Sequence, residues 1–134
     1  MKIRTGFILL ISVLALYSQN SFKFSYKINC IDDILRTTDG TAKADALMQM
    51  AGFYMTRYSD THKGIAYLLE ARDLSAQINY TDGLLRSYES LGDIYLISEN
   101  YSTALDYFTK KAEVLKTALR KKEYSETRIK MADV

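Results

Sequence analysis

From residue 41 onward, apolar residues recur at steps of three and four. Leu47, Met50, Ala51, Tyr54 and Tyr58 keep that step between Thr41 and Tyr58. It predicts an amphipathic helix, because side chains three and four apart share one face when 3.6 residues make a turn. Ser59-Asp60-Thr61 offers side-chain oxygens able to cap a second helix, predicted from about His62 to Ile78 with Ile65, Leu68, Leu69, Ala71 and Leu74 inward. Asn79-Tyr80-Thr81-Asp82-Gly83 reads as a turn, Leu84 to Ile97 as a third helix, Ser98-Glu99-Asn100 as a polar break, and Tyr101 to about Lys121 as a fourth helix. Connections this short make consecutive helices antiparallel neighbours. Upstream, Ile31, Ile34 and Leu35 place one apolar face on a short helix over residues 31–38, which Asp39-Gly40 ends.

The helical stripes are not independent of one another. Leu91-Gly92-Asp93-Ile94-Tyr95, followed by Ala104 and Phe108, is anticipated about forty residues earlier by Met50-Ala51-Gly52-Phe53-Tyr54, Gly64 and Leu68. Met131-Ala132-Asp133 opens the pattern a third time. A fixed period marks a repeat array, in which one unit cannot bury its own apolar face and stacking neighbours must cover it. Gly92 and Ala104 lack bulk where two helices would cross, and Tyr95 and Phe108 fill the wider spaces beside them. The tyrosines Tyr54, Tyr67, Tyr88, Tyr95, Tyr101 and Tyr107 are accordingly expected to pack between helices and not to form a stacking platform for a ligand.

Tyr88, Leu91, Gly92, Tyr95, Ala104 and Phe108 resemble, in order, the signature positions of the tetratricopeptide repeat family. Tyr101 fits the aromatic that precedes the second helix of a unit. Leu47, Met50, Ala51 and Tyr54 follow the same pattern, with one extra residue in the turn before Gly64, Leu68 and Ala71. Lys111 stands where the family has alanine, with Ala112 beside it, and the family's proline is missing from both units. A period near 40 resembles the longer-helix variety of the family. The resemblance implies an all-α fold, a right-handed superhelical stack of antiparallel helix pairs. Its units would be 41–80 and 81–121, after a lead-in over 19–40, and 122–134 would be the first helix of an incomplete third unit. It further implies that the first helix of each unit lines a concave surface, through Asp45, Met48, Gly52 and Met55 and then Arg86, Glu89, Asp93 and Leu96. The Lys and Asn that clamp a peptide carboxylate in one subclass are absent from these places, so an apolar or basic peptide, a protein, or a second copy of the chain fits better than a chaperone tail.

Residues 1–18 are read apart from this fold. Lys2 and Arg4 precede an apolar run from Gly6 to Tyr17, and Ser18 supplies a small residue before the polar Gln19-Asn20-Ser21. That run has the length of a secretory leader and falls short of the ~20 residues a spanning helix needs. An exported chain, periplasmic or secreted and without stable membrane insertion once the leader is cleaved, is expected. Of the 18 basic residues two lie in the leader, whereas all 16 acidic residues lie beyond it, so the remainder carries balanced charge. Nucleic-acid binders show a basic excess. No nucleic-acid partner is therefore expected, and Lys110, Lys111, Lys116, Arg120, Lys121 and Lys122 are read as a solvated helix face.

Little catalytic chemistry is legible. Cys30 is the only cysteine and cannot form an internal disulfide. His62 is the only histidine and is expected to be exposed at the start of its helix. Glu89 and Asp93 share a face, but no nucleophile or glycine-rich phosphate loop accompanies them. No catalytic residue, metal site or cofactor is assigned, and the expected function is a non-catalytic protein-interaction module. The alternative rests on the leader, the Ile31-Asp32-Asp33-Ile34-Leu35 helix and the repeats together, which are similar to amino-terminal sensor regions of exported bacterial regulators. In that reading the chain is the sensory part, truncated at residue 134, of a membrane-bound histidine kinase or transcription regulator. A helix left without its partner exposes its apolar side. Self-association or fraying over residues 122–134 is thus expected, with Ile129, Met131 and Val134 covering the edge of the preceding pair.

Overall fold

No proline interrupts the chain, and the apolar stripes fold into an unbroken series of helices. The computed structural model describes Asp33, Leu35 and residues 39–134. The expected leader, Cys30 and most of the short helix expected over 31–38 lie outside the described residues, although Asp33 and Leu35 are both helical. Beyond them come α1 (Thr41–Arg57), α2 (Thr61–Gln77), α3 (Thr81–Ile97), α4 (Tyr101–Thr117) and α5 (Lys121–Ala132), with no strand among the described residues. The first four helices are each 17 residues long. Three-residue links join them, so a new helix starts every twenty residues.

The links explain that regularity. The middle residue of each takes the left-handed backbone conformation: Ser59 (φ 52°), Asn79 (56°), Glu99 (58°) and Leu119 (57°). Turning the chain there lets the next amide fold back onto the helix end: Tyr80 donates to the Ser75 carbonyl at 2.7 Å, Asn100 to Tyr95 at 2.8 Å and Arg120 to Leu115 at 3.0 Å. Carbonyls otherwise left without a partner at the helix terminus are satisfied in this way. At the first link the Asp60 amide reaches one residue further back, to the Tyr54 carbonyl at 3.1 Å. The extra residue expected in that turn is not found, since this link is three residues long like the others. Asp60 also caps α2, accepting from the Lys63 amide at 2.9 Å, and Asn100 caps α4, accepting from Thr103 at 3.3 Å. The fourth helix, expected to run to about Lys121, ends at Thr117 because Leu119 turns the chain.

Helices pack on their neighbours in sequence, and α1 also touches α3. Phe108, Leu91 and Leu115 are fully buried, and Ala44, Ala51, Ala71 and Ala104 are buried beside them. Burying a Phe or Leu side chain contributes about 1.5–3 kcal/mol each, and the alanines let the backbones approach closely enough for this to happen. At Gly92 the approach is close, since a Cβ there would lie 2.5 Å from Cε1 of Phe108. Tyrosines fill the flanks: Tyr54 stacks on Tyr67 with centroids 5.5 Å apart, and Tyr95 on Tyr107 at 5.7 Å. Each stacked pair ties the two helices of one pair together.

The last of the described helices, α5, is held by less. Thr127 is its one fully buried residue, whereas Ile129 is 65% exposed and so does not cover the edge as expected. With α5 starting at Lys121, the inward face runs through Tyr124, Thr127, Met131 and Val134, and Ile129 falls off it.

Candidate binding face

The first helices of successive pairs, α1, α3 and α5, are joined by charged side chains at matching places. Arg86 on α3 donates through Nη2 to Asp45 Oδ1 on α1 at 2.5 Å and to the Tyr80 hydroxyl at 2.7 Å, and Tyr80 donates in turn to Asp45 Oδ1 at 3.3 Å. One unit on, Lys130 of α5 reaches Glu89 Oε1 at 2.7 Å and Asp93 Oδ1 at 2.5 Å. Lys111, from α4, contacts the other oxygen of Glu89. Arg120, in the last link, pairs with Asp82 and places its Nε 2.7 Å from Glu123 Oε1.

A register underlies these contacts. Asp45 and Arg86 are 41 residues apart, as are Glu89 and Lys130. The buried faces of α1 and α3 are related by the same offset, Met50 and Ala51 corresponding to Leu91 and Gly92. Equivalent places on consecutive first helices therefore carry opposite charges, and stacking the units brings them together. Each pair is partly exposed and contributes about 0–1 kcal/mol. Their greater effect is to penalise any slip of one unit against the next, which would set like charges side by side.

Local environments differ along this row. Burial is the largest single influence on Arg86 and opposes its charge, but the hydrogen bonds and charges of Asp45 and Tyr80 together outweigh it and hold the guanidinium above its ordinary value. Lys111 is displaced the other way: burial, and then the charge of Lys130, hold it below the ordinary lysine value despite its contact with Glu89. Between α3 and α5 the row borders an open groove of about 460 Å³ whose lining includes Tyr80, Leu85, Arg86, Lys111 and Arg120.

Of the residues expected on the face, Asp45 and Arg86 meet directly, and Glu89 and Asp93 meet through Lys130. Met48 and Met55 are half-buried against the core cluster of Ala51, Leu68 and Leu91, and Leu96 is half-buried on α3. Gly52 marks a dent, because a Cβ built there has no heavy atom within 4 Å. Sequence reasoning missed Tyr80, Lys111, Arg120 and Lys130, although opposite charges one period apart were a signal that could have found the pairs. The basic cluster read as one solvated face divides: Lys110, Lys116, Lys121 and Lys122 are exposed, whereas Lys111 and Arg120 turn in to carboxylates. Ala112 takes the inward place beside Lys111 and is buried. His62 is exposed, as expected.

Among the described residues no group of three or more His, Cys, Asp or Glu side chains is placed to hold a metal ion, and no helix is long and apolar enough to cross a membrane. No protein-family model, curated protein or solved structure matches the chain.

Proposed function

We propose that this chain is a non-catalytic protein-interaction module of the tetratricopeptide type, exported from the cell interior, which holds a peptide or protein segment along the face of α1, α3 and α5. The observation that carries this reading is the row of matched, partly exposed charges Asp45–Arg86 and Glu89–Lys130, repeated at one offset beside the dent at Gly52. Such a row suits an extended partner, because its spacing repeats as a chain's does. Exposed ion pairs are worth little individually, so an incoming Lys or Arg can replace Arg86 on Asp45, or Lys130 on Glu89 and Asp93, at small cost. The partner's apolar side chains then have the half-buried Met48, Met55 and Leu96 to rest against, and methionine adapts readily to irregular shapes.

Selection from a random peptide library against the full chain tests the reading. Enriched peptides should carry Lys or Arg interspersed with apolar residues. Their affinity should fall roughly tenfold or more when Asp45→Asn, Glu89→Gln and Asp93→Asn are combined, as loss of several charge-assisted contacts requires. Peptides that bind the triple variant as tightly as the parent would refute it.

A further inference from the structure

Where α4 turns into α5, a small apolar pocket of about 240 Å³ opens between Leu115, Leu119 and Tyr124, with Lys116 and Lys121 completing its wall. Two features mark this corner. The first is Leu119 itself. At the other three links the left-handed position is held by Ser59, Asn79 and Glu99, all polar, whereas here a leucine adopts a backbone conformation that L side chains rarely take and is still 79% exposed. Backbone strain of this kind persists where the surroundings enforce it, and it gathers at binding sites. The second is charge. On the face of α1, α3 and α5 the cations Arg86, Lys111, Arg120 and Lys130 each meet a carboxylate of the chain. Lys116 and Lys121 meet none among the described residues, and neighbouring Lys122 is 90% exposed and only 4.0 Å from Glu126.

We propose that this pocket is a second docking site, separate from the face of α1, α3 and α5, and that it takes one leucine- or phenylalanine-sized side chain from a partner segment rich in Asp and Glu. An apolar anchor in a pocket within a charged rim is the arrangement in which few residues dominate binding. The uncompensated lysines select an acidic partner and raise its rate of encounter. The volume admits a single large side chain, so the anchor is one residue and the acidic neighbours supply the rest.

The probe is a short fluorescent peptide with one leucine flanked on both sides by glutamates, titrated with the full chain and followed by anisotropy. Saturable binding is expected, weakened roughly tenfold by Leu119→Gly and by the pair Lys116→Glu and Lys121→Glu, and weakened similarly when the peptide's leucine is replaced by serine. Leu119→Gly relieves the backbone, so this variant should melt no lower than the parent and its loss of binding cannot be laid to misfolding. Asp45→Asn and Arg86→Ala should leave the affinity unchanged. Equal affinity for parent and Leu119→Gly would overturn the proposal, as would a loss with Arg86→Ala, which would place the acidic peptide on the other face. Absence of peptide binding together with self-association that Leu119→Gly abolishes would overturn it in favour of a second copy as occupant.

Discussion

Gly52 and Gly92 are each the twelfth residue of a 17-residue helix, in α1 and α3 respectively, yet replacing each by alanine should move stability in opposite directions. Alanine is favoured over glycine within a helix by about 1 kcal/mol, because glycine loses more backbone freedom on folding. At Gly52 nothing opposes this gain, since no heavy atom lies within 4 Å of the new Cβ. At Gly92 the Cβ would lie 2.5, 2.8 and 2.9 Å from three atoms of the Phe108 ring. That ring is fully buried and cannot swing into solvent. Overpacking of this sort costs about 1–3 kcal/mol, and with three ring atoms involved the upper part of that range applies, leaving a net loss of about 1–2 kcal/mol. The two variants should therefore differ by roughly 2–3 kcal/mol. Urea denaturation followed by circular dichroism measures this directly, and in thermal melts each kcal/mol corresponds to about 4–8 °C for a domain of this size. Shifts of the same sign and size at both positions would show that α3 does not cross α4 at Gly92, and the packing described above would be wrong.

Other expectations test different parts of the array. Ser75 Oγ is buried without a hydrogen-bond partner, so Ser75→Ala should be neutral or stabilising, whereas Ser87→Ala, which removes a 2.9 Å bond to the Gly83 carbonyl, should cost about 0.5–1.5 kcal/mol in the same denaturation assay. A double-mutant cycle on Glu89→Gln and Lys130→Met should return a coupling of about 0.5–1 kcal/mol that fades with added salt; no coupling at low salt would break the link between α3 and α5. In lysine-resolved NMR titrations Lys63, hydrogen-bonded to Tyr54, and Lys110, hydrogen-bonded to Asp106, should titrate above the ordinary lysine value, and Lys111 below it because of burial and Lys130.

Helices were legible wherever an apolar stripe met a polar capping residue. Asp60 and Asn100 carry side chains that bond the first amides of α2 and α4, and those starts lie within a residue of expectation. Tyr80 makes no side-chain cap, and α3 begins at Thr81, three residues before the expected Leu84. The end of α4 was hidden because Ala118-Leu119-Arg120 contains neither Gly nor Asn, the residues that usually announce a left-handed turn. On the face, Asp45, Arg86, Glu89 and Asp93 could be named from the repeat, but that Asp45 meets Arg86 and that Lys130 meets Glu89 and Asp93 was missed. Pairing depends on which residue of one helix stands beside which of the next, and the only trace of it in the sequence is the opposite charges 41 residues apart. Lys111 was doubly obscured, since it occupies a place expected to hold alanine and reaches Glu89 from a different helix.

Methionine-methyl NMR offers the most direct test that α1, α3 and α5 form the partner surface. Met48 and Met55 lie half-buried on the proposed face, whereas Met50, two residues from Met48, is 1% exposed in the core. When a library-selected basic peptide is titrated into the labelled chain, the methyl signals of Met48 and Met55 should shift with the binding isotherm while that of Met50 stays in place. Saturable binding that leaves Met48 and Met55 unmoved would contradict the account and put the partner elsewhere on the array.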